Sequence, residues 1–278
     1  MRDVVCGGEI LWDFFEARPG VYVRHAGGAS ANAAIVLSRL GLDVALVGAV
    51  GEDALGDEIV RQIGREGVDV RAVGRTARPT GIVVVTAGRF SPYRSDAPVS
   101  ARGVRARWGL VGSLVPEVRD LAVRRLAVDL NVHPRLWPSR AKMRAASAKL
   151  VRGASLVKAS HADLERLCGA EDAGIAWLRR SAPDAVLVVT RAGGDASAIG
   201  GWGRLDVAPR RATARESTGA GDAFTAGVLA VLVRAEEGWN APEVLTRALR
   251  LGHRLGRKAV SRVGATAGLV NLEKIPWR

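Results

Sequence analysis

The sequence predicts an α/β protein: a doubly wound, mostly parallel β-sheet flanked by helices, with a small β lid. Three observations carry that expectation. Short β-branched runs alternate with helix-length amphipathic stretches, as a parallel sheet covered on both faces requires. The chain has 278 residues, 48% of them hydrophobic, which is enough for one large domain with a sizeable core. No internal repeat, low-complexity tract or linker rich in Pro, Gly or Ser divides it.

Taken in chain order, strands are expected at residues 3–6, 44–47, 82–86, 126–130, 156–158 and 185–190. Helices are expected at 29–40, 54–65, 139–151, 160–168, 221–234 and 241–263, where apolar residues recur near the 3.6-residue period. Two stretches, 9–25 and 87–101, break the alternation with aromatic and alternating residues bounded by Gly or Pro. They are read as the lid strands, lying over the carboxyl edge of the sheet where parallel-sheet proteins hold ligands.

The formal charge is +13, yet Lys occurs only at Lys142, Lys149, Lys158, Lys258 and Lys274, so Arg spread along the whole chain supplies most of it. A spread of that kind reads as solvated faces, at residues 102–107 and 204–215 as elsewhere, and no specific nucleic-acid partner is expected. The longest notable apolar stretch, Val228 to Val233, falls far short of a bilayer span, so no membrane partner is expected either. The start of the chain lacks the apolar core and cleavage site of a signal peptide, which predicts a cytoplasmic protein. Cys6 and Cys168 fit neither a disulfide framework nor a zinc site and are read as buried free thiols.

The strongest local signal is Glu216-Ser-Thr-Gly-Ala-Gly-Asp-Ala-Phe224, which opens directly into an apolar helix. Gly219 and Gly221 allow close backbone approach, and N–H groups at a helix N-terminus make an anion site. Asp222 in the first turn would repel bound phosphate unless it had a task, and accepting a hydroxyl proton is such a task. Complementing the helix dipole is the alternative role. Neither a Walker A loop nor a dinucleotide fingerprint is present in this segment. A second glycine-rich segment, Gly27-Gly-Ala-Ser-Ala-Asn32, is followed by Gly51-Glu-Asp53-Ala-Leu-Gly56. Asn32 offers a polyol both a donor and an acceptor, although it would equally bond its own helix end.

Together, in this order and at this separation, the two segments resemble the signatures of the ribokinase-like (pfkB) sugar kinases, over a region from Gly7 to about Gly264. The resemblance implies ATP-dependent phosphorylation of a sugar hydroxyl, with Asp222 as the base and Gly219, Ala220 and Gly221 as the anion hole. It places sugar contacts at Asp13, Gly27, Gly28 and Asn32. Phe90-Ser-Pro-Tyr93-Arg94 and Asp129-Leu-Asn131-Val-His133 look closest to the fructokinase branch, which adds Tyr93, Arg94, Asp129 and Asn131 to the substrate side. Nucleotide contacts are implied at Lys158, Ser160, Thr190, Arg191, Gly193, Gly219, Gly221 and His253. Asp163 is the implied magnesium ligand, although Ser160 and Asp163 would look the same as a plain capping box.

Several positions depart from the family pattern. His133 stands where the family has Arg, His253 replaces a usual Asn, and Ala192 and Asp195 occupy places where Gly is usual. ATP and Mg2+ are the expected cofactors, with a monovalent cation and a homodimer left open. The other readings are a 2-keto-3-deoxygluconate, ribose or nucleoside kinase, and, from another class, a non-catalytic nucleic-acid or regulatory binding protein.

Overall fold

The computed structural model describes residues 1–86, 89–93, 98–112, 118–209, 219–272 and 275. Its first half contains β1 (Arg2–Gly7), β2 (Leu11–Arg18), β3 (Val21–Gly27), α1 (Ala29–Arg39), β4 (Val44–Gly51), α2 (Ala54–Arg65) and β5 (Val73–Thr76). There follow β6 (Gly81–Thr86), β7 (Arg89–Tyr93), β8 (Val99–Ser100), β9 (Arg105–Gly112), β10 (Val118–Arg119) and β11 (Ala122–Asp129). The second half adds α3 (Arg140–Val151), β12 (Leu156–Ser160), α4 (His161–Cys168), α5 (Glu171–Ser181) and β13 (Val186–Thr190). It closes with β14 (Ala196–Gly200), β15 (Gly203–Val207), α6 (Ala220–Ala235) and α7 (Pro242–Ala259).

Nine strands form the main sheet in the order β15-β14-β13-β12-β11-β9-β1-β4-β5. Pairing is parallel from β5 through β13, and β14 and β15 add an antiparallel edge. Alternation along the strands feeds cores on both faces of the sheet. In β13, Val186 and Val188 enter one core with α1, α2, α6 and α7, while Leu187 and Val189 enter the other with α3, α4 and α5. Residues 223–233 of α6 are all buried, so this helix is apolar all round and fixed on every side. Small residues let α7 press against it: a Cβ on Gly227 would lie 3.0 Å from Gly252 Cα. No helix among the described residues is long and apolar enough to cross a membrane.

All six expected helices are present. Side-chain capping explains three of the starts, with Asp53 accepting from the Gly56 amide at α2, Ser139 from Lys142 at α3 and Ser160 from Asp163 at α4. The strand expectations need correction at two places. Residues 82–86, expected in the main sheet, belong instead to a separate four-stranded sheet of order β3-β2-β6-β7. An apolar run does not reveal which sheet it joins, and this one is only half-buried. Conversely, β8 falls within the expected lid stretch but pairs with β10 outside it. β9, a central strand, escaped notice because it starts Arg-Ala-Arg-Trp: the Arg side chains reach the surface, while Ala106 and Trp108 are buried between them. Cys6 is buried, and burial pushes its thiol pKa up; Cys168, expected buried, is half-exposed.

One carboxylate ties the small sheet to the main one. Asp53 caps α2 and also accepts from the Thr80 amide and hydroxyl, each at 2.7 Å, just before β6 begins. Burial works to raise the Asp53 pKa, but the donors of Thr80 and Gly56 outweigh it and hold the carboxyl below its ordinary value. Asp53→Ala removes a cap and strands the Thr80 amide, at a cost of about 2 kcal/mol. Thermal denaturation at neutral pH is expected to show a midpoint several degrees lower, and an unchanged midpoint would deny Asp53 this role.

Candidate active site

The carboxyl ends of β1, β9 and β11 and the amino ends of α1 and α6 converge on one cleft that is open in part to solvent. Its lining includes Glu9, Ser30, Gly112, Asp129, Asn131, Asp222 and Thr225. Five elements distant in sequence therefore deliver polar groups to one place.

Gly219 begins α6 in the left-handed region, at φ 78°, and a Cβ there would come within 2.5 Å of Ala265. Only Gly makes this turn against that wall. The turn sets Ala220, Gly221 and Asp222 at the helix N-terminus, where amides point outward and favour an anion. Asp222 remains reachable from the cleft, and its Oδ2 accepts from Asn32 Nδ2 at 2.9 Å. Desolvation pushes the Asp222 pKa up to about 7; Asp129 and Glu9 add to the rise, and Asn32 and Lys158 oppose it.

Asp13, on β2 of the small sheet, is buried with its carboxylate against Gly27: a Cβ on Gly27 would lie 2.1 Å from Asp13 Oδ2. Gly28, at φ 97°, packs on the Glu9 carbonyl, so both motif glycines make room for neighbouring groups. No described residue donates to the Asp13 carboxylate, and burial, then Glu9 and Asp222, raise its pKa to about 7. Asn32 Oδ1 is also buried without a hydrogen-bond partner among the described residues. Glu9 was missed in the sequence reading. It follows β1 at the sheet's carboxyl edge, accepts from the Ala29 amide at 3.2 Å, and could have been found from that strand end alone.

The remaining expected positions divide. Asp129 lines the cleft, but its carboxylate is engaged by Lys158 Nζ at 3.0 and 3.3 Å and by the Thr225 hydroxyl at 2.6 Å. Thr225 is a second missed residue. Asn131 lines the same cleft with its backbone at φ 30°. Asp163 forms the capping box with Ser160, and its other oxygen accepts from the Val132 amide at 2.7 Å. Both of its oxygens therefore face protein donors, as the capping alternative to a magnesium ligand requires.

Arg191 is bound to Glu171 and to Ser197, so its guanidinium is engaged within the protein; Thr190 ends β13 and Gly193 lies in the turn that follows. His253 meets the Val207 carbonyl at 2.9 Å and the Phe224 ring edge-on, and burial lowers its pKa. Tyr93 is 64% exposed at the end of β7, and Arg94 lies outside the described residues, as do Glu216, Ser217 and Thr218.

Comparison with known proteins gives this cleft a context. The pfkB family carbohydrate kinase profile matches residues 1–95 and 112–272. A fructokinase from Rhizobium leguminosarum bv. trifolii is 27% identical, covering 98% of this chain and 96% of its own. An aminoimidazole riboside kinase from Salmonella enterica, solved with aminoimidazole riboside and an ATP analogue, superposes with a TM-score of 0.84 at 22% identity, over 96% of both chains. A fructokinase from Xylella fastidiosa with bound ATP gives a TM-score of 0.81 at 26% identity, over 96% and 95%. With a family match over most of its length and this arrangement at the carboxyl edge of the sheet, the chain belongs to the pfkB family of carbohydrate kinases and is an ATP-dependent sugar or nucleoside kinase.

Proposed function

We propose that the protein transfers the γ-phosphoryl group of ATP to a hydroxyl of a neutral hexose, with fructose the preferred acceptor and Asp222 the general base. The observation that carries this reading is a half-buried carboxylate, its pKa pushed up to about 7, at the amino end of a helix whose exposed amides favour phosphate. The sugar lies between the small sheet and α1. There Asp13 and the open acceptor of Asn32 offer its hydroxyls the partners that these buried atoms lack. Asn32 also orients Asp222 through their shared bond.

As the hydroxyl oxygen attacks, its proton passes to Asp222 and the amides of Ala220 and Gly221 face the transferring group. A Mg2+ ion fits the oxygen donors gathered here. No group of three His, Cys, Asp or Glu among the described residues converges tightly enough to hold a metal alone, so Asp129 would act through water while phosphate oxygens supply the remaining ligands. When bound, Mg2+ neutralises phosphate charge.

A riboside is the second reading, and one feature favours it. Val23, Phe15, Val85 and Phe90 pair across the small sheet in one row, on the same face as Asp13. Val23 and Phe90, at the two ends of the row, are 47% and 49% exposed, while Phe15 and Val85 between them are buried, so a flat base would meet apolar side chains along this row. The aminoimidazole riboside bound by the Salmonella enterica kinase is a substrate of that kind.

Two measurements test these assignments. Asp222→Asn is expected to keep nucleotide binding and lower kcat by about 10² to 10⁴, the scale of a positioned base. In the wild type a base must be deprotonated to act, so kcat/KM is expected to rise with pH through about 7, a limb that Asp222 shares with Asp13. Near-normal turnover in Asp222→Asn, or an acid limb centred near an ordinary carboxyl pKa, would remove Asp222 from the role. Substrate choice is read from kcat/KM on fructose, 2-keto-3-deoxygluconate and aminoimidazole riboside, with wild type and Arg94→Gln. With His133 standing where the family has Arg, fructose is expected to exceed the acidic sugar, and Arg94→Gln to cost it about 1–2 kcal/mol. An advantage for the acidic sugar that disappears in Arg94→Gln would overturn the hexose assignment, and a preference for the riboside would install the second reading.

A further inference from the structure

From Val244 to Leu272 the chain carries no acidic residue but holds Arg247, Arg250, Arg254, Arg257, Lys258 and Arg262. Arg is spread along the sequence, yet the fold lines up four of these. Arg247, Arg250, Arg254 and Arg257 follow one another at intervals of three, four and three residues and stand exposed on one face of α7. The opposite face, with Val244, Leu245, Ala248, Leu249, Leu251 and Leu255, is buried in the core beside α6. The stripe therefore rides on a fixed rod.

No ion pair or hydrogen bond among the described residues engages any of the four guanidinium groups. Glu243, the one acid in α7, lies a turn ahead of Arg247 without bridging to it. On the sheet edge beside α7, Asp195 and Asp206 are taken up by Arg191 and Arg204. Like charges three and four residues apart repel, and nothing described here relieves that repulsion.

At about 1.5 Å of rise per residue, the stripe presents its four cations over about 15 Å. One strand of a DNA duplex presents a phosphate about every 3.4 Å of axis, so about four over the same length. The planar guanidinium also takes phosphate oxygens in pairs, which an ammonium does not. Two other polyanions fit less well. α7 has no Phe, Tyr or Trp on which the bases of a single strand could stack. Its apolar face is already buried, so it has nothing to insert into a lipid surface.

We propose that the exposed face of α7 is a docking surface for the phosphate backbone of a nucleic-acid duplex, held through Arg247, Arg250, Arg254 and Arg257 without regard to base sequence. None of the four lines the kinase cleft, so the surface stands whether or not the sugar assignment does. Release of counterions from the duplex drives the association, and the phosphates relieve the repulsion along α7.

The competing account is that the net charge of +13 attracts any polyanion and the stripe has no privileged part. Two variants that remove equal charge decide between them. One carries Arg247→Gln, Arg250→Gln, Arg254→Gln and Arg257→Gln, which keeps helix propensity. The other carries Arg61→Gln, Arg65→Gln, Arg152→Gln and Arg180→Gln, at exposed positions on α2, after α3 and on α5. Binding of a fluorescein-labelled DNA duplex of mixed sequence is followed by anisotropy in about 50 to 200 mM KCl. For the wild type, log affinity is expected to fall against log salt with a slope of about −3 to −4, the value for four phosphates. The stripe variant is expected to bind about 10²-fold more weakly at the lowest salt. The other variant should stay within about threefold of wild type, since charges beyond a Debye length are screened. Unchanged thermal midpoints show that both variants fold, with no appeal to the kinase reading. Equal losses in the two variants, or no duplex binding by the wild type, would overturn the proposal. So would tighter binding to vesicles of phosphatidylserine and phosphatidylcholine than to the duplex, which would make this face a membrane contact.

Discussion

The site depends on holding a carboxylate partly out of water at the amino end of a helix that is buried behind it. Asp222 would sit comfortably at a solvated helix start, where the dipole and free amides favour its charge. Here α6 is buried from Ala223 to Val233, directly behind the half-buried Asp222, and desolvation outweighs that benefit and draws the carboxyl toward neutrality near physiological pH. The surrounding features follow from this constraint. Gly219 turns the chain tightly enough to place Asp222 against the cleft, Asn32 fixes one of its oxygens, and Lys158 tempers the charge of Asp129 behind it. A site assembled in this way is costly in isolation, and the packing of α6 between α1 and α7 over the sheet is what sustains it.

The small sheet brings a second carboxylate, the buried Asp13, toward the first. Its placement is governed by contacts remote from the chemistry. Asp53 holds the chain before β6, Trp12 donates to the Leu55 carbonyl on α2, and the His25 ring packs on Gly264 beyond α7. The glycine-rich segment from Gly27 to Gly56 thus has two mechanical tasks as well as any contact with substrate. Gly27 opens space for Asp13, and Asp53 joins the two sheets.

Much of this was legible in the sequence, for identifiable reasons. Helices announce themselves through caps and periodicity, and the residues of the glycine-bounded turn before α6 point to phosphate because backbone chemistry there is local. Asp222, Asn32 and Asp13 could be singled out, but their mutual contact could not, since 190 residues separate Asn32 from Asp222. Long-range pairing also hid the destination of β6 and the central position of β9, whose Arg-rich start mimics a solvated loop. Arg191 could be singled out as well, but its partner could not: Glu171, on a helix absent from the sequence reading, holds its guanidinium. Thr225 and Glu9 carried no motif, and only the fold makes them neighbours of the cleft.

The central claim concerns the protonation state of one side chain, and it can be observed without turnover. Carbon-13 NMR of protein labelled at aspartate carboxyls, titrated from pH 4 to 9, identifies the Asp222 resonance by its absence in Asp222→Asn. The account predicts a midpoint of about 7 for that resonance in the free protein. A midpoint near 3.9, the ordinary value for a solvated aspartate, would contradict it.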